Sequence, residues 1–361
     1  MTTDGSGGPE RLRDVPIDPV VWEIEPSSFE LAEHESRTCL LFGDAFAVVT
    51  ANGIDLEDGV IEADLTVGRA RSFHGLVWRA QDHENYESFF VRPHQMGNPD
   101  SIQYTPVNNG LSSWQLYHGE GYWAAVDFPF DEWFTIRIAF TGPSAEIFVA
   151  DLSTPVLRIP ELKREPASGS VGFLVGGPEL RIARFAYSGE SSLEPGQQPQ
   201  EDLATGAIRE WEISEPFPES PRDESNHLPA GLLDERTWTP LRVDRTGLAD
   251  ISRLHGIRDG RNTVLARATI ASDEEKTVAM DLGFSDRAKV YLNGIAVFSG
   301  DETYRSRDYR FLGSIGYWHR LYLPVSAGHN ELVIAVSEDF GGWGIQARFP
   351  EPDAIQLNRG S

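Results

Sequence analysis

The segment from Arg92 to Trp123 carries the densest mixture of polar and aromatic side chains in the sequence. Amide, guanidinium and imidazole groups hydrogen-bond hydroxyl groups, and aromatic faces pack against C–H surfaces. The mixture therefore suits a small hydroxylated ligand bound by a long loop. The alternative interpretation is that the aromatic side chains pack the loop itself and the amides satisfy its backbone. The candidate ligand-binding residues are Arg92, Gln103, Tyr104, Trp114, Gln115, Tyr117 and His118.

Alternation along a strand indicates which of these side chains share a face. If the segment that ends at Arg92 is a strand, His94 continues its face, and Gln103 can return on the neighbouring strand. We therefore expect Arg92, His94 and Gln103 to form the floor of the site. The alternative is a buried arginine paired with a carboxylate such as Glu87 or Asp100.

Acid–base chemistry requires carboxyl or imidazole groups beside the ligand. Hydrolysis of a glycosidic bond uses two carboxyl groups roughly 5–10 Å apart. Glu120, Asp127 and His94 are the candidate catalytic residues, but the sequence does not pair them. It contains no nucleophile elbow, His-Glu-x-x-His zinc motif, Gly-Lys-Ser/Thr phosphate loop or dinucleotide fingerprint.

Period-two patterns predict the elements that position these side chains. Over residues 59–67, apolar residues alternate with Glu62, Asp64 and Thr66, which predicts a half-buried strand with a solvated polar face. Strand-like runs recur at residues 73–79, 86–92, 133–140, 145–150, 170–175 and 180–187. Short strands separated by turn signals, without a sustained helical period, predict a sandwich or jelly roll.

The second half of the chain repeats this pattern. Asn293-Gly294 lies between two apolar runs and predicts a two-residue hairpin. Residues 189–208 are rich in turn formers and predict a flexible linker. The predicted fold class is all-β, with two β-sandwich (jelly-roll) domains joined by that linker. The predicted boundaries are 1–19 for an extended or disordered N-terminus, 20–188 and 209–350 for the sandwiches, and 351–361 for a C-terminal tail.

The segments 75–80 and 85–94 resemble the concanavalin-A-like jelly rolls. Within that superfamily they are most similar to laminin-G-like and 3-keto-disaccharide-hydrolase-type domains. The resemblance covers about residues 20–188. It implies a jelly roll whose ligand lies across the concave sheet face, but the fold hosts lectins, hydrolases and adhesion modules alike.

Glucanases of this superfamily carry Glu-x-Asp-x-x-Glu on one strand. Glu62 and Asp64 match the first two positions, but Val67 replaces the third carboxylate, which argues against glucanase chemistry. Three hypotheses follow. In the first, the protein is carbohydrate-active and binds a saccharide or glycoside in the N-terminal jelly roll, with cleavage by hydrolysis or lyase-type chemistry left open. In the second, it is a non-catalytic binding or scaffold protein. In the third, it is an enzyme that acts on a non-sugar small molecule in the same cleft.

The second half resembles the galactose-binding-like sandwiches appended to many glycoside hydrolases. The resemblance rests on residues 290–294, 328–334 and 340–344, and it implies a fold rather than sugar binding. A basic, aromatic-rich stretch at residues 304–319 could face a ligand. We expect it instead to contact another domain or subunit, because the rest of the chain is acidic.

Charge and composition limit the partners. The net charge of −25 would repel nucleic-acid phosphates and anionic lipid, so neither a nucleic-acid nor a membrane partner is predicted. The sequence contains no run of 18 apolar residues, so no membrane-spanning segment is predicted. The expected partner is a saccharide or other small hydroxylated molecule, with homo-oligomerisation left open. Cys39 is the one cysteine, which excludes an intrachain disulfide framework and a multi-cysteine metal site. No cofactor is predicted, although lectin-like sandwiches often carry structural Ca²⁺. The first 18 residues lack the apolar core of a signal peptide, which predicts a cytoplasmic protein unless an export signal has been removed.

Overall fold

The computed structural model describes residues 11–23, 29–194, 196, 204–219, 226–234, 236–308 and 311–357. Within these residues the regular elements are β-strands and three short 3-10 helices, Pro93–Gln95, Ile251–Arg253 and Pro352–Ala354. The predicted all-β class is therefore confirmed. No helix in this part of the chain is long and apolar enough to cross a bilayer.

The chain divides into two compact units, residues 1–107 with 117–199 and residues 108–116 with 200–361. The short segment 108–116 thus belongs with the second unit, although the sequence placed it in the first domain. Its hydrogen bonds explain this. The backbone N–H of Gln115 donates to the carbonyl of Gly341 at 2.8 Å, and Nε2 of Gln115 donates to the carbonyl of Leu312 at 2.7 Å. Part of the predicted linker, residues 195 and 197–203, lies outside the described residues.

Short antiparallel strands follow one another along the first half of the chain. They are β1 (Arg13–Val15), β2 (Phe29–His34), β3 (Arg37–Phe42), β4 (Ala45–Leu56), β5 (Gly59–Val67), β6 (His74–Asp82), β7 (Asn85–Val91), β8 (Ile102–Asn108), β9 (Leu111–Ser112), β10 (Trp123–Ala124), β11 (Phe134–Thr141), β12 (Ser144–Val149), β13 (Leu157–Ile159), β14 (Gly169–Gly177) and β15 (Leu180–Ser188).

The first unit is a sandwich of two sheets. One has the order β13-β12-β11-β5-β15-β3-β2, with β1 also paired to β15, and the other has the order β10-β8-β7-β6-β14-β4. Side chains of both sheets pack into one buried core. Phe42 of the first sheet and Phe173 of the second have ring centroids 5.5 Å apart, so the core is continuous between the sheets.

Strand β5 has the predicted bounds, but its polar face is not solvated. Glu62 is buried, with Arg137 at 3.4 Å and Arg184 at 3.0 Å. Both arginines come from the strands on either side of β5, and their long side chains cover the face while pairing with its carboxylate. The expected solvated face is therefore wrong.

The second unit contains the remaining strands. They are β16 (Glu210–Ser214), β17 (Phe217–Pro218), β18 (Trp238–Arg242), β19 (Leu248–Asp250), β20 (Arg261–Ser272), β21 (Lys276–Ser285), β22 (Arg287–Leu292), β23 (Ile295–Asp301), β24 (His319–Val325), β25 (Gly328–Ser337), β26 (Gly344–Arg348) and β27 (Gln356–Leu357).

These strands also form two sheets around one core. The larger sheet has the order β18-β16-β20-β25-β22-β23, with β17 and β27 paired to β20, and the smaller has the order β19-β26-β21-β24. Val290 and Ile334 of the larger sheet share a core with Met280 and Ile345 of the smaller one. The second unit is thus also a β-sandwich.

Candidate functional site

Of the residues predicted to form the floor of the site, Gln103 lies on β8, and Arg92 and His94 follow the end of β7. Phe89, Ile102 and Tyr104 belong to the core between the sheets. Because side chains alternate along a strand, Phe90 and Gln103 point to the outer face, where they are register partners. The segment predicted as a long hydrophilic loop therefore contains a strand, β8, whose residues are all buried.

Arg92 and Gln103 meet on this outer face as expected. Nη2 of Arg92 donates to Oε1 of Gln103, and Nε2 of Gln103 donates to the carbonyl of Tyr117 at 2.8 Å. Nη1 of Arg92 donates to the carbonyl of Asp100 at 2.7 Å, and the Asp100 carboxylate lies 3.8 Å away. Both Arg92 and Gln103 are buried, so the structure combines the predicted pair with the alternative of an arginine tied to Asp100.

His94 lies just beyond β7, in the 3-10 helix Pro93–Gln95, and is half-buried. Its ring packs edge-on against Phe73 at 5.3 Å. Nδ1 is buried and has no hydrogen-bond partner among the described residues. Burial, together with the positive charges of Arg71 and Arg92, lowers the pKa of His94 to about 4 against the opposing charge of Asp100. The imidazole is therefore neutral at pH 7.

Two residues that the sequence analysis missed complete this group. Arg71 is exposed, and its guanidinium carbon lies 5.3 Å from the centre of the Phe73 ring. The Arg92 guanidinium approaches the same ring at 5.9 Å. We call Arg71, Phe73, Arg92, His94 and Asp100 the His94 cluster. Only the pairing of β6 with β7 brings Phe73 close to His94, and no local motif signals that pairing.

Tyr104 and Tyr117 do not join the His94 cluster. Tyr104 follows Gln103 directly and therefore points to the opposite side of the sheet, into the core. Tyr117 is buried, with Nζ of Lys163 5.4 Å from its ring centre. Its contribution to the cluster is its backbone carbonyl, which accepts the hydrogen bond from Gln103.

Trp114 and Gln115 belong to the second unit. The Trp114 ring lies 6.1 Å from both Tyr304 and Phe340. Gln115 is fully buried. His118 belongs to the first unit, where it packs against Trp123 at 5.6 Å. The structure thus separates the predicted ligand-binding residues into two groups.

Glu120 and Asp127, the candidate acid and base, are both exposed. Neither side chain forms a hydrogen bond or ion pair with a described residue. Their assignment as catalytic residues stays a prediction.

Two buried carboxyl groups in the second unit, those of Asp286 and Glu338, were not singled out from the sequence. Burial raises the pKa of Asp286 to about 6. Burial and then the neighbouring charge of Asp286 raise the pKa of Glu338 well above its ordinary range. Among the described residues, no group of three or more His, Cys, Asp or Glu side chains is arranged to hold a metal ion.

No protein-family model and no curated protein matches the sequence. Among solved structures, the chain is similar to the carbohydrate-binding module CBM66 from Bacillus subtilis, with 16% identity over 46% of this chain and 92% of that chain and a TM-score of 0.32. It is similar to a native glycosidic hydrolase, with 10% identity over 50% of this chain and 97% of that chain and a TM-score of 0.36.

A third similar structure is the exoplasmic/lumenal domain of VIP36 in its Ca²⁺/Man3GlcNAc-bound form. The identity is 11% over 48% of this chain and 85% of that chain, and the TM-score is 0.32. At these identities and TM-scores the likeness assigns no function to this chain. The resemblance of the second unit to galactose-binding-like sandwiches stays a prediction.

Proposed function

We propose that the first unit binds a saccharide at the His94 cluster. The observation that carries the proposal is that Arg71 and His94 both lie against the Phe73 ring without an internal partner for their polar groups. Neither the Arg71 guanidinium nor the His94 imidazole makes a hydrogen bond or ion pair with a described residue. Aromatic rings flanked by such groups are suited to sugars, which present C–H faces beside hydroxyl groups.

The buried Arg92 supports this surface from behind. Its bonds to Gln103 and to the Asp100 carbonyl fix the guanidinium, which lies 4.8 Å from the Phe90 ring centre. A group held by several hydrogen bonds loses little further freedom on binding, which favours affinity. A neutral His94 offers a ring nitrogen that donates to or accepts from a hydroxyl according to its tautomer.

The proposal is for binding without cleavage. Glycosidases place two carboxyl groups on either side of the scissile bond and raise the pKa of the one that acts as an acid. The one carboxyl group in the His94 cluster is that of Asp100, which faces Arg92. Hydrolysis, and an enzyme acting on a non-sugar molecule, remain alternatives that a turnover assay would reveal.

Isothermal titration of the full chain with soluble hexasaccharides of glucose, xylose, mannose and galactose tests the proposal. His94→Ala and Arg71→Ala should each weaken binding at the His94 cluster about tenfold, because each removes one hydrogen-bonding group. His83→Ala is the matched control, since His83 is an exposed histidine of the same unit. Binding of no saccharide by the wild type, or unchanged binding by both variants, would overturn the proposal.

A further inference from the structure

An exposed row of side chains follows the edge strand of the smaller sheet in the second unit. Trp318, immediately before β24, is 53% exposed, and Tyr322 within it is 69% exposed. Alternate residues of a strand share a face, so Arg320 lies between the two aromatic side chains. Four residues of extended chain place Trp318 and Tyr322 about 13 Å apart along the strand.

A buried carboxylate organises the charged part of this face. Asp281 on the adjacent strand β21 accepts hydrogen bonds from Nε and Nη2 of Arg320 at 2.7 and 3.1 Å. It also accepts a bond from Nε of Arg348, on β26, at 3.1 Å. These bonds lower the pKa of Asp281, against the effect of burial, so the group carries a net charge of +1 at neutral pH.

The two arginines keep donors available for a ligand. Nη1 of Arg320 and both Nη atoms of Arg348 make no hydrogen bond to a described residue. The side chains are 53% and 38% exposed. The Arg348 guanidinium carbon also lies 4.3 Å from the Tyr317 ring centre, within the distance of a cation–π contact. The donors are thus held in place and open to solvent.

Trp318 is held in place as well. Its Nε1 donates to the carbonyl of Ser314 at 2.9 Å. The indole packs so closely on Gly316 that a Cβ there would lie 2.5 Å from the ring. An exposed ring fixed by its own loop offers stacking area at a low entropic cost.

We infer that Trp318, Arg320, Tyr322, Arg348 and Asp281, together called the β24 face, bind a saccharide chain of more than one sugar ring. Two aromatic rings separated by fixed guanidinium donors match the alternation of C–H faces and hydroxyl groups along such a chain. All five residues of the β24 face belong to the second unit, whereas the residues of the His94 cluster belong to the first.

Titration of the full chain with the same four hexasaccharides tests this inference. Trp318→Ala and Tyr322→Ala should each weaken saccharide binding at the β24 face about tenfold, and the double variant should abolish binding at that face. Phe46→Ala is the matched control, since Phe46 is a 77% exposed aromatic residue of the first unit. Because both substituted side chains are more than half exposed, we expect the variants to unfold within a few degrees of the wild type, with Trp318→Ala the more affected since it also removes the bond to Ser314.

The two sites can fail separately. If the double variant binds every hexasaccharide like the wild type while His94→Ala reduces binding, the β24 face is not a saccharide site and the proposed function stands. If the reverse holds, the β24 face is supported and the His94 cluster is not. Absence of binding by the wild type overturns both. Sedimentation velocity tests for a contact between copies of the chain. If the wild type is a dimer, and the double variant is a monomer with unchanged saccharide affinity, the β24 face is a contact between copies and the inference is overturned.

Discussion

Tyr104 and Glu87 form a hydrogen-bonded pair inside the first sandwich, where the Tyr104 hydroxyl donates to Oε2 of Glu87 at 2.8 Å. The same hydroxyl accepts the backbone N–H of Lys163 at 2.7 Å, and Oε1 of Glu87 accepts that of Arg164 at 3.2 Å. Burial raises the pKa of Glu87 from 4.5 to about 7, although the Tyr104 bond and Arg164 oppose this. The core therefore holds a carboxyl group that titrates near neutral pH.

We predict that Glu87→Gln makes the stability of the first unit less dependent on pH between 4.5 and about 7. Between pH 4.5 and about 7 the folded state binds more protons than the unfolded state, so the wild type loses stability as pH rises. The loss is roughly 3 kcal/mol. Urea unfolding at pH 4.5 and pH 8 measures this. Relative to the wild type, the free energy of unfolding of the variant should be higher at pH 8 than at pH 4.5 by that amount. Glu30→Gln, an exposed glutamate, is the control, and an equal effect of both substitutions would contradict the prediction.

His74 should produce the opposite pH dependence. It is fully buried, with Nε2 2.9 Å from the carbonyl of Pro178 and Nδ1 accepting the N–H of Gly176 at 3.2 Å. Burial lowers its pKa from 6.5 to about 4, so the folded state binds fewer protons between these values. The contribution of neutral His74 to the stability of the fold is fully present above pH 6.5, and it is lost as the pH falls from 6.5 to about 4. Imidazole ¹⁵N chemical shifts should show His74 titrating near pH 4, and a midpoint near 6.5 would contradict this.

The carboxyl pair of the second unit gives a third prediction. Because burial raises the pKa of Asp286 from 3.8 to about 6, the folded second unit loses stability as pH rises through this range. Asp286→Asn keeps an oxygen that accepts the N–H of Asp339, which donates to Asp286 at 3.0 Å, and it also removes the charge that raises the pKa of Glu338. The variant should be roughly 3 kcal/mol more stable than the wild type at pH 8 and equal to it at pH 4. Thermal unfolding at the two pH values measures this, and a variant that is less stable at pH 8 would refute it.

Local chemistry made much of the fold predictable. The Asn293-Gly294 hairpin forms as expected, with positive φ of 50° and 78° at the two turn residues and Leu292 paired with Ile295. Such a turn requires residues that tolerate positive φ, and the dipeptide states this directly. The alternation of apolar and polar residues likewise predicted β5, because this pattern can be recognised without knowing which strands pair with it.

The site was less predictable because it depends on which strands pair. Nothing near Arg71 in the sequence indicates that its charge acts on His94, since that proximity arises from the pairing of β6 with β7. The orientation of Tyr104 was accessible in principle, because a strand cannot place it on the same face as Gln103. The burial of Glu62 depends on arginines from two neighbouring strands, which a single-strand pattern does not contain.

The last prediction concerns Arg92, which connects the end of β7 to β8 and to the loop at Asp100 by hydrogen bonds. Its guanidinium is buried and donates to Gln103 and to the Asp100 carbonyl. Arg92→Lys keeps the charge but replaces the planar fork with a single point donor, whereas Arg92→Ala removes both bonds. We expect Arg92→Ala to lower the stability of the first unit by roughly 2–4 kcal/mol, and Arg92→Lys by less. Urea unfolding measures both, with Arg158→Ala, an arginine 65% exposed, as the control. A loss no larger for Arg92→Ala than for Arg158→Ala would show that the network does not hold the outer face together.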